Sequence, residues 1–278
     1  CDFFSSGKYD RNREFFKTSS PSMDILISSN LERLLFELHS KDDKKVCFSQ
    51  GNLQAKYSEA ADKYTWSFAT HQYDVIRNNS GNTTIFVDEH GHFINNDNAV
   101  VDLFGWSTYA TTITYGICTS TMANPYMGNF LDWGTTIDDE ETWRTLSQEE
   151  WSYLSRYNTY RLRVKVMGID NCCVLYPQGY DSAKIVNFDD KETYSTEEAY
   201  NKATEEGVVF LPPTGYRYGL KVSEWYSEGH YWSSTPQHET SSYYCLIADD
   251  YFNSSQDVNN MSRCYGMAVR LVTDYHEL

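Results

Sequence analysis

Two histidines stand out among the residues that could perform chemistry. His90 and His92 lie in the stretch DEHGHF, and their alternating spacing would place both imidazoles on one face of a strand, as a metal site requires. Gly91 between them favours a turn, so exposed loop histidines are the better interpretation. The sequence contains no CxxC, HExxH or GxSxG motif, and it therefore offers no zinc site and no activated nucleophile. We predict no catalytic residue, no metal and no cofactor.

The C-terminal segment, residues 230–272, carries a different kind of candidate chemistry. It is rich in Tyr, Ser, Asn, Asp and His, which give large contact areas and adaptable hydrogen bonds at binding surfaces. Apolar residues typical of a framework are interspersed: Tyr231, Trp232, Met267, Val269 and Leu271. Tyr243 and Tyr244 must face opposite sides if they share a strand, so that at most one of them is displayed.

Charge and composition exclude several classes of function. The chain of 278 residues has a formal net charge of -16, and a nucleic-acid partner is therefore not expected. Aromatic residues make up 16% of the chain, and the mean hydropathy is -0.60, which favours a loop-rich β fold with aromatic packing. No apolar run is long enough to span a bilayer.

The seven cysteines show no metal-ligand spacing. Free and mostly buried thiols are expected, because Cys172 and Cys173 are adjacent and cannot easily bridge each other without strain; a Cys245–Cys264 disulfide is an alternative that the sequence leaves open. No signal peptide is visible, and Cys1 is either a processed lipoprotein cysteine or the start of a fragment. A cell-surface or secreted location is favoured.

The first segment, residues 1–43, differs in character from the rest. SSNLERLLFELHS predicts an amphipathic helix in which Ser29 and Glu32 form a capping box, with a leucine stripe behind them. The charged linker KDDKK follows. The stretch GKYDRNREFFKTSSPSMDILISSNLERLLFEL resembles part of bacterial threonine synthase, a pyridoxal-phosphate enzyme. That resemblance would imply a Schiff-base lysine and a phosphate cradle, and neither can be placed in so short a segment.

The second segment, residues 44–278, predicts short strands, few helices and long ordered loops. KKVCFSQGNLQ and YTWSFAT are typical of strands, and residues 116–139 of irregular loops. WRTLSQEEWSYL predicts a helix capped by Ser147 and Glu150, and a second helix is expected near residues 195–206. A hairpin is predicted for YRLRVKVMG and NCCVLYP. A strand that ends in a turn is predicted for VVFLPPTGYR. Three more strands are predicted for HYWSST, SSYYCLIADD and RCYGMAVRLV. Since strands and helices do not alternate, the fold class is α+β.

A second resemblance rests on four stretches that follow one another along the chain: WRTLSQEEWSYL, VVFLPPTGYR, GHYWSST and RCYGMAVRLV. They are similar to C-type lectin-fold domains of gut Bacteroidetes, including the variable proteins of diversity-generating retroelements and Fibrobacter-type paralogous domains. The resemblance implies short antiparallel sheets, two helices and a C-terminal surface, about residues 230–265, that contacts a ligand. The residues that it places on that surface are His238, Glu239, Tyr244, Asp249, Tyr251, Asn253, Gln256, Asp257, Asn259, Asn260 and Arg263.

Two familiar activities of related folds are not supported by the sequence. The Glu-Pro-Asn or Gln-Pro-Asp signature of calcium-dependent sugar binding is absent. Cys245 and Cys264 are not embedded in the arginine-rich motif of the formylglycine-generating enzymes, which share this fold. We therefore expect a non-enzymatic display protein that recognises a protein or glycan and is diversified by a retroelement. The alternatives are a fragment or fusion of threonine synthase and a fixed adhesive module.

Overall fold

The computed structural model of the protein describes residues 36–37, 45–58, 60, 63–76, 100–107, 127–137, 142–157, 159–185, 190–218, 221–248 and 258–275. The chain divides into two compact units, Cys1–Glu32 and Arg33–Leu278. All described residues belong to the second unit. The capping box at Ser29 and Glu32 and the pair His90 and His92 lie outside the described residues.

Both helices predicted in the second segment are confirmed. Helix α1 (Gln148–Tyr157) begins with a reciprocal capping box, in which the Glu150 N–H donates to Ser147 Oγ at 3.2 Å and the Ser147 N–H donates to Glu150 Oε2 at 2.7 Å. Helix α2 (Glu197–Glu205) is capped by Thr196, whose hydroxyl oxygen accepts the Ala199 N–H. Two 3-10 helices are also described, Trp133–Thr136 and Ser182–Lys184.

Short strands make up most of the regular structure that is described. They are β1 (Phe36–Glu37), β2 (Lys45–Phe48), β3 (Leu53–Ser58), β4 (Lys63–Phe68), β5 (Val100–Val101), β6 (Trp143–Thr145), β7 (Thr159–Val166), β8 (Ile169–Leu175), β9 (Val209–Leu211), β10 (Tyr216–Tyr218), β11 (Lys221–Ser223), β12 (Gly229–Pro236), β13 (Ser241–Ile247), β14 (Val258–Ser262) and β15 (Leu271–Tyr275). Together with the two helices they form an α+β fold, as predicted.

The strands pair in antiparallel sheets with the orders β1-β2-β15-β6, β4-β3-β5, β7-β8-β9, β10-β11 and β12-β13-β14. The predicted hairpin of β7 and β8 is present. Its turn residues Met167 and Gly168 both have positive φ, 48° and 87°, which is the geometry of a tight two-residue hairpin turn.

The segment 266–271 is the buried centre that joins these sheets. Its residues Met267, Ala268, Val269 and Leu271 are 0% exposed. Main-chain hydrogen bonds run from Met267 to Phe104, from Ala268 to His230 and Trp232, and from Val269 to Leu53. Because Leu53 belongs to β3 and His230 and Trp232 belong to β12, this short stretch of chain links two separate sheets directly.

Three buried tryptophans reinforce the same centre through their indole N–H groups. Trp106 Nε1 donates to the Ser233 carbonyl at 2.8 Å, and Trp232 Nε1 donates to the Phe104 carbonyl at 2.7 Å. Trp151, on helix α1, donates to the Trp232 carbonyl at 3.3 Å. A buried indole is stabilised when its N–H finds an acceptor, so these contacts fix β12 against its neighbours.

Glycine is required at position 266 because a buried arginine crosses it. Arg217 is 0% exposed, and its Nη2 donates to the Leu103 carbonyl. A Cβ added to Gly266 would lie 2.8 Å from that Nη2 and 3.0 Å from the Arg217 Cβ. The YGMAV sequence therefore allows the Arg217 side chain to lie directly against the central segment.

A second buried arginine, Arg270, is held by two side-chain amides. Its Nη2 donates to Gln72 Oε1 at 2.7 Å and its Nη1 donates to Asn52 Oδ1 at 3.4 Å. Burial lowers the pKa of Arg270 to about 10. Gln72 also accepts the Phe210 N–H at 2.8 Å, so the pair connects the C-terminal segment to β9.

The structure corrects three expectations. Phe36–Glu37, which fall inside the predicted N-terminal helix, instead form β1 and pair with β2. Cys245 is buried and belongs to no disulfide, whereas Cys264 is disulfide-bonded, so the two do not bridge each other. In RCYGMAVRLV only the last two residues belong to a strand, because the preceding residues bond to several sheets in turn.

Candidate functional site

The predicted binding surface lies on the β12-β13-β14 sheet. Strand β13 is central, and its Tyr244 is opposite Trp232 on β12 and Asn259 on β14. A turn at residues 237–240 joins β12 to β13, where the His238 N–H donates to the Ser241 carbonyl at 3.1 Å. Strand β14 pairs on one side only among the described residues.

Some of the predicted contact residues are exposed in this sheet. His238 and Glu239 are exposed in the turn, Asn260 is exposed on β14, and Asn259 is half-buried beside it. These residues are therefore available for contact, and whether they bind a ligand stays a prediction. The remaining predicted residues lie outside the described residues: Asp249, Tyr251, Asn253, Gln256 and Asp257.

Tyr244 is a correction to the predicted surface, because its ring faces inward. It is 5% exposed, stacks on the His230 ring at 5.2 Å and meets Trp232 edge-on at 6.3 Å. Burial raises the pKa of Tyr244, and the nearby Glu228 carboxylate raises it further. Tyr243, on the opposite face of the strand, is half-exposed. The two side chains therefore point to opposite sides as predicted, but Tyr243 and not Tyr244 faces outward.

Arg263 is a second correction, since it is 4% exposed. Its guanidinium carbon lies 4.1 Å from the Trp106 ring centroid, a cation–π contact. Its Nη2 donates to the His238 carbonyl at 2.7 Å, and its Nε donates to Ser242 Oγ at 3.0 Å. Arg263 therefore holds the turn that carries His238 and Glu239 and is not itself displayed.

A group of tyrosines that the sequence analysis missed lies beside this sheet. Tyr218 stacks on Tyr265 with ring centroids 5.1 Å apart, and Tyr265 lies 5.6 Å from Tyr216. Tyr218 is 38% exposed, and the other two rings are half-buried. We call Tyr216, Tyr218 and Tyr265 the tyrosine platform. The signal in the sequence was YRY in TGYRYG, where alternation places both tyrosines on one face of β10.

His230, on β12, connects the tyrosine platform to the β12-β13-β14 sheet. Its ring lies 5.0 Å from that of Tyr216, and its other face stacks on Tyr244. His230 Nε2 is 2.9 Å from a carboxylate oxygen of Glu228. Because His230 is only 2% exposed, it fixes the position of the Glu228 carboxylate at the border of the platform.

The described residues do not fit a pyridoxal-phosphate or metal site. No group of three or more His, Cys, Asp or Glu side chains in the described part of the chain could hold a metal ion. A Schiff-base lysine needs a closed pocket, and every lysine side chain whose exposure is described is half-buried or exposed. Lys165 and Lys184, for example, form ion pairs with Glu192 and Glu206.

None of the helices in the described ranges has the length and apolarity needed to cross a bilayer.

Comparisons with known proteins found short similarities to threonine synthases. Threonine synthase from Pseudomonas aeruginosa is 36% identical over 74 residues, which is 27% of this chain and 16% of that enzyme. Threonine synthase-like 1 from Mus musculus is 57% identical over 42 residues, which is 15% of this chain and 6% of that protein. No family model matches. No solved structure matches.

Proposed function

We propose that residues 44–278 form a C-type lectin-like domain that binds a protein or glycan ligand without catalysing a reaction. The described residues form antiparallel sheets of two to four short strands and two α-helices, which agrees with that type of fold. The ligand-binding surface is the outer part of the β12-β13-β14 sheet together with the tyrosine platform.

The observation that carries the proposal is the contrast between a rigid centre and a polar edge within one sheet. Tyr231 and Trp232 on β12 are 0% exposed. The turn that follows carries exposed His238 and Glu239, and β14 carries exposed Asn260. A fixed scaffold that presents adaptable polar side chains is the arrangement that recognition surfaces use.

Selection of ligands from a phage-displayed peptide library and a glycan array tests the proposal. The protein is compared with the triple variant His238→Ala, Glu239→Ala, Asn260→Ala. Selected ligands should bind the protein and lose most of their affinity for this variant, because the substitutions remove polar contacts and leave the scaffold intact.

A triple variant on helix α2, Glu198→Ala, Asn201→Ala, Lys202→Ala, is the matched control, since these side chains are also exposed. It should bind like the unmodified protein. The proposal is abandoned if no ligand is enriched, or if both variants bind every enriched ligand as well as the original chain does.

We further propose that a retroelement diversifies this surface. Long-read sequencing of the locus across one source population should find substitutions at adenine positions of codons 238–264, with the codons for Trp232 and Gly266 unchanged. Since Tyr244 and Arg263 are buried, their codons should vary least within that interval. An unvarying segment would instead support the fixed adhesive module.

A threonine-synthase fragment or fusion is the second candidate, because both curated matches carry that name. It predicts that added pyridoxal phosphate produces a visible absorbance band and that borohydride attaches the cofactor to a lysine. We expect neither with the full chain, since the matched part covers 16% of the bacterial enzyme.

A further inference from the structure

Two rings of the tyrosine platform, Tyr218 and Tyr265, flank a stretch of the sequence that has a uniform charge. From residue 222 to residue 262 the sequence contains six carboxylates and no lysine or arginine. The next basic residue, Arg263, is buried against Trp106 and hydrogen-bonded to carbonyl oxygens. The described carboxylates of this stretch are Glu224, Glu228 and Glu239, so the charge that the described residues place around β12 and β13 is negative, as is the net charge of -16 of the chain.

We propose that the tyrosine platform and Glu228 bind a lysine or arginine side chain of a basic protein partner. This inference rests on the proposed function and names the chemistry of the partner. The faces of aromatic rings attract cations, and a neighbouring carboxylate adds to that attraction. The contact between Arg263 and Trp106 in the interior shows the same chemistry within this protein.

The carboxylate is well placed for this role. Glu228 is hydrogen-bonded to His230, whose ring lies 5.0 Å from that of Tyr216 at the inner end of the platform. At the outer end, Tyr218 is exposed and pairs across the β10-β11 hairpin with Lys221. A cationic side chain that stacks on the platform from Tyr218 toward Tyr216 would therefore approach the Glu228 carboxylate at the inner end.

Lys221 allows the proposal to be tested by the direction in which its replacement changes binding affinity. Its exposed ammonium group shares a face of the hairpin with Tyr218, because directly opposed residues in an antiparallel pair lie on the same side. An ammonium group on this face repels an incoming cation. Replacing Lys221 by Gln should strengthen binding, whereas an aromatic surface that takes a neutral ligand would not respond in this direction.

The experiment measures fluorescence anisotropy of a labelled Gly/Ser peptide with three arginines and of the same peptide with citrulline, a neutral isostere, at those positions. The arginine peptide should bind at least about fivefold more tightly than the citrulline peptide. Tyr218→Ala with Tyr265→Ala should weaken binding of the arginine peptide by about tenfold. Glu228→Gln should also weaken it, and Lys221→Gln should tighten it by about twofold.

Tyr226→Ala is the control, since Tyr226 is 60% exposed and contacts Trp225 instead of the platform. It should leave both affinities unchanged. Equal binding of the two peptides overturns the proposal. So does a preference for arginine that disappears with added salt but is unaffected by the tyrosine substitutions, because it would then rest on charge alone.

The outcome is separable from that of the proposed function. If library selection yields ligands that depend on His238, Glu239 and Asn260 while the arginine peptide fails, only the cationic partner is wrong. Selection of neutral glycans whose binding depends on Tyr218 and Tyr265 also overturns the cationic partner and leaves the binding function in place.

Discussion

The outer edge of the β12-β13-β14 sheet and the buried arginines Arg263 and Arg270 use polar side chains in opposite ways. At the edge, His238, Glu239 and Asn260 are exposed. In the centre, Arg263 and Arg270 are 4% and 0% exposed, and both are hydrogen-bonded to oxygen atoms of the protein. Polar residues at the edge face solvent, whereas those in the centre hold strands and turns together.

The difference shows that position within the pleat, more than residue type, decides which polar side chain is displayed. Tyr243 and Tyr244 are adjacent and identical, yet one is half-exposed and the other is 5% exposed. A binding surface inferred from composition alone therefore includes buried residues that stabilise the surface but are not exposed on it. Substitutions at exposed and at buried positions should therefore lower the free energy of unfolding by very different amounts.

The largest effect is expected from Arg263→Ala. The substitution removes the contact with Trp106 and leaves the buried Ser242 Oγ and the half-buried His238 carbonyl without this donor, which should lower the free energy of unfolding by about 3 kcal/mol. Urea unfolding followed by tryptophan fluorescence measures it. Arg263→Lys keeps the charge but not the forked geometry and should recover only part of the loss. A loss below about 0.5 kcal/mol would place Arg263 among the displayed residues after all.

Gly266→Ala should have the next largest effect. The new methyl group would lie 2.8 Å from Arg217 Nη2 in a fully buried position, which should destabilise the fold by about 1–3 kcal/mol. The double variant Gly266→Ala, Arg217→Met separates the steric clash from other effects of the alanine, by thermal unfolding. If the glycine substitution costs the same with either residue at 217, the close approach is not its cause.

Alkaline pH should unfold the protein partly through Tyr244. Because burial raises the pKa of Tyr244 above its unfolded value of about 10, the unfolded chain loses this proton first. The stabilisation is complete below pH 10, and the free energy of unfolding should fall as the pH rises above that value. Tyr244→Phe should make this fall shallower, as measured by urea unfolding between neutral pH and pH 11. The same slope in both proteins would contradict the buried position.

The smallest effects are expected at the outer edge. His238→Ala, Glu239→Ala and Asn260→Ala should each change the free energy of unfolding by less than about 0.5 kcal/mol, because the side chains are exposed. Thermal unfolding of the single variants and of the triple variant measures this. A large loss at Glu239 or Asn260 would show that the edge is part of the scaffold and not a replaceable surface.

Local signals in the sequence were sufficient to predict many elements. Ser147 and Glu150 identified the start of α1, and the alternation around Val164 and Val166 identified β7. These features depend on neighbours a few residues away, so local patterns reveal them. Strand β1 was predicted as helix, because its pairing with β2 is a contact with a more distant part of the chain.

The candidate site was harder to predict for the same physical reason. Whether Tyr244 faces inward depends on how β13 lies against the other elements, and period-two alternation alone leaves the phase undetermined. The tyrosine platform joins Tyr216 and Tyr218 to Tyr265, some 50 residues away in the numbering of the sequence. Arg263 looked like a contact residue, because its acceptors, which include the main-chain carbonyl of His238, lie more than 20 residues away and no local side-chain pattern encodes them.

A stability scan of every substitution between residues 228 and 272 tests the contrast of edge and centre most directly. The variants are displayed on yeast and sorted by resistance to a protease, so that no ligand is needed. The account predicts wide tolerance at His238, Glu239 and Asn260, and intolerance at Trp232, Tyr244, Arg263 and Gly266. Equal tolerance in both groups, or intolerance at the exposed edge, would contradict a rigid scaffold that carries a replaceable binding surface.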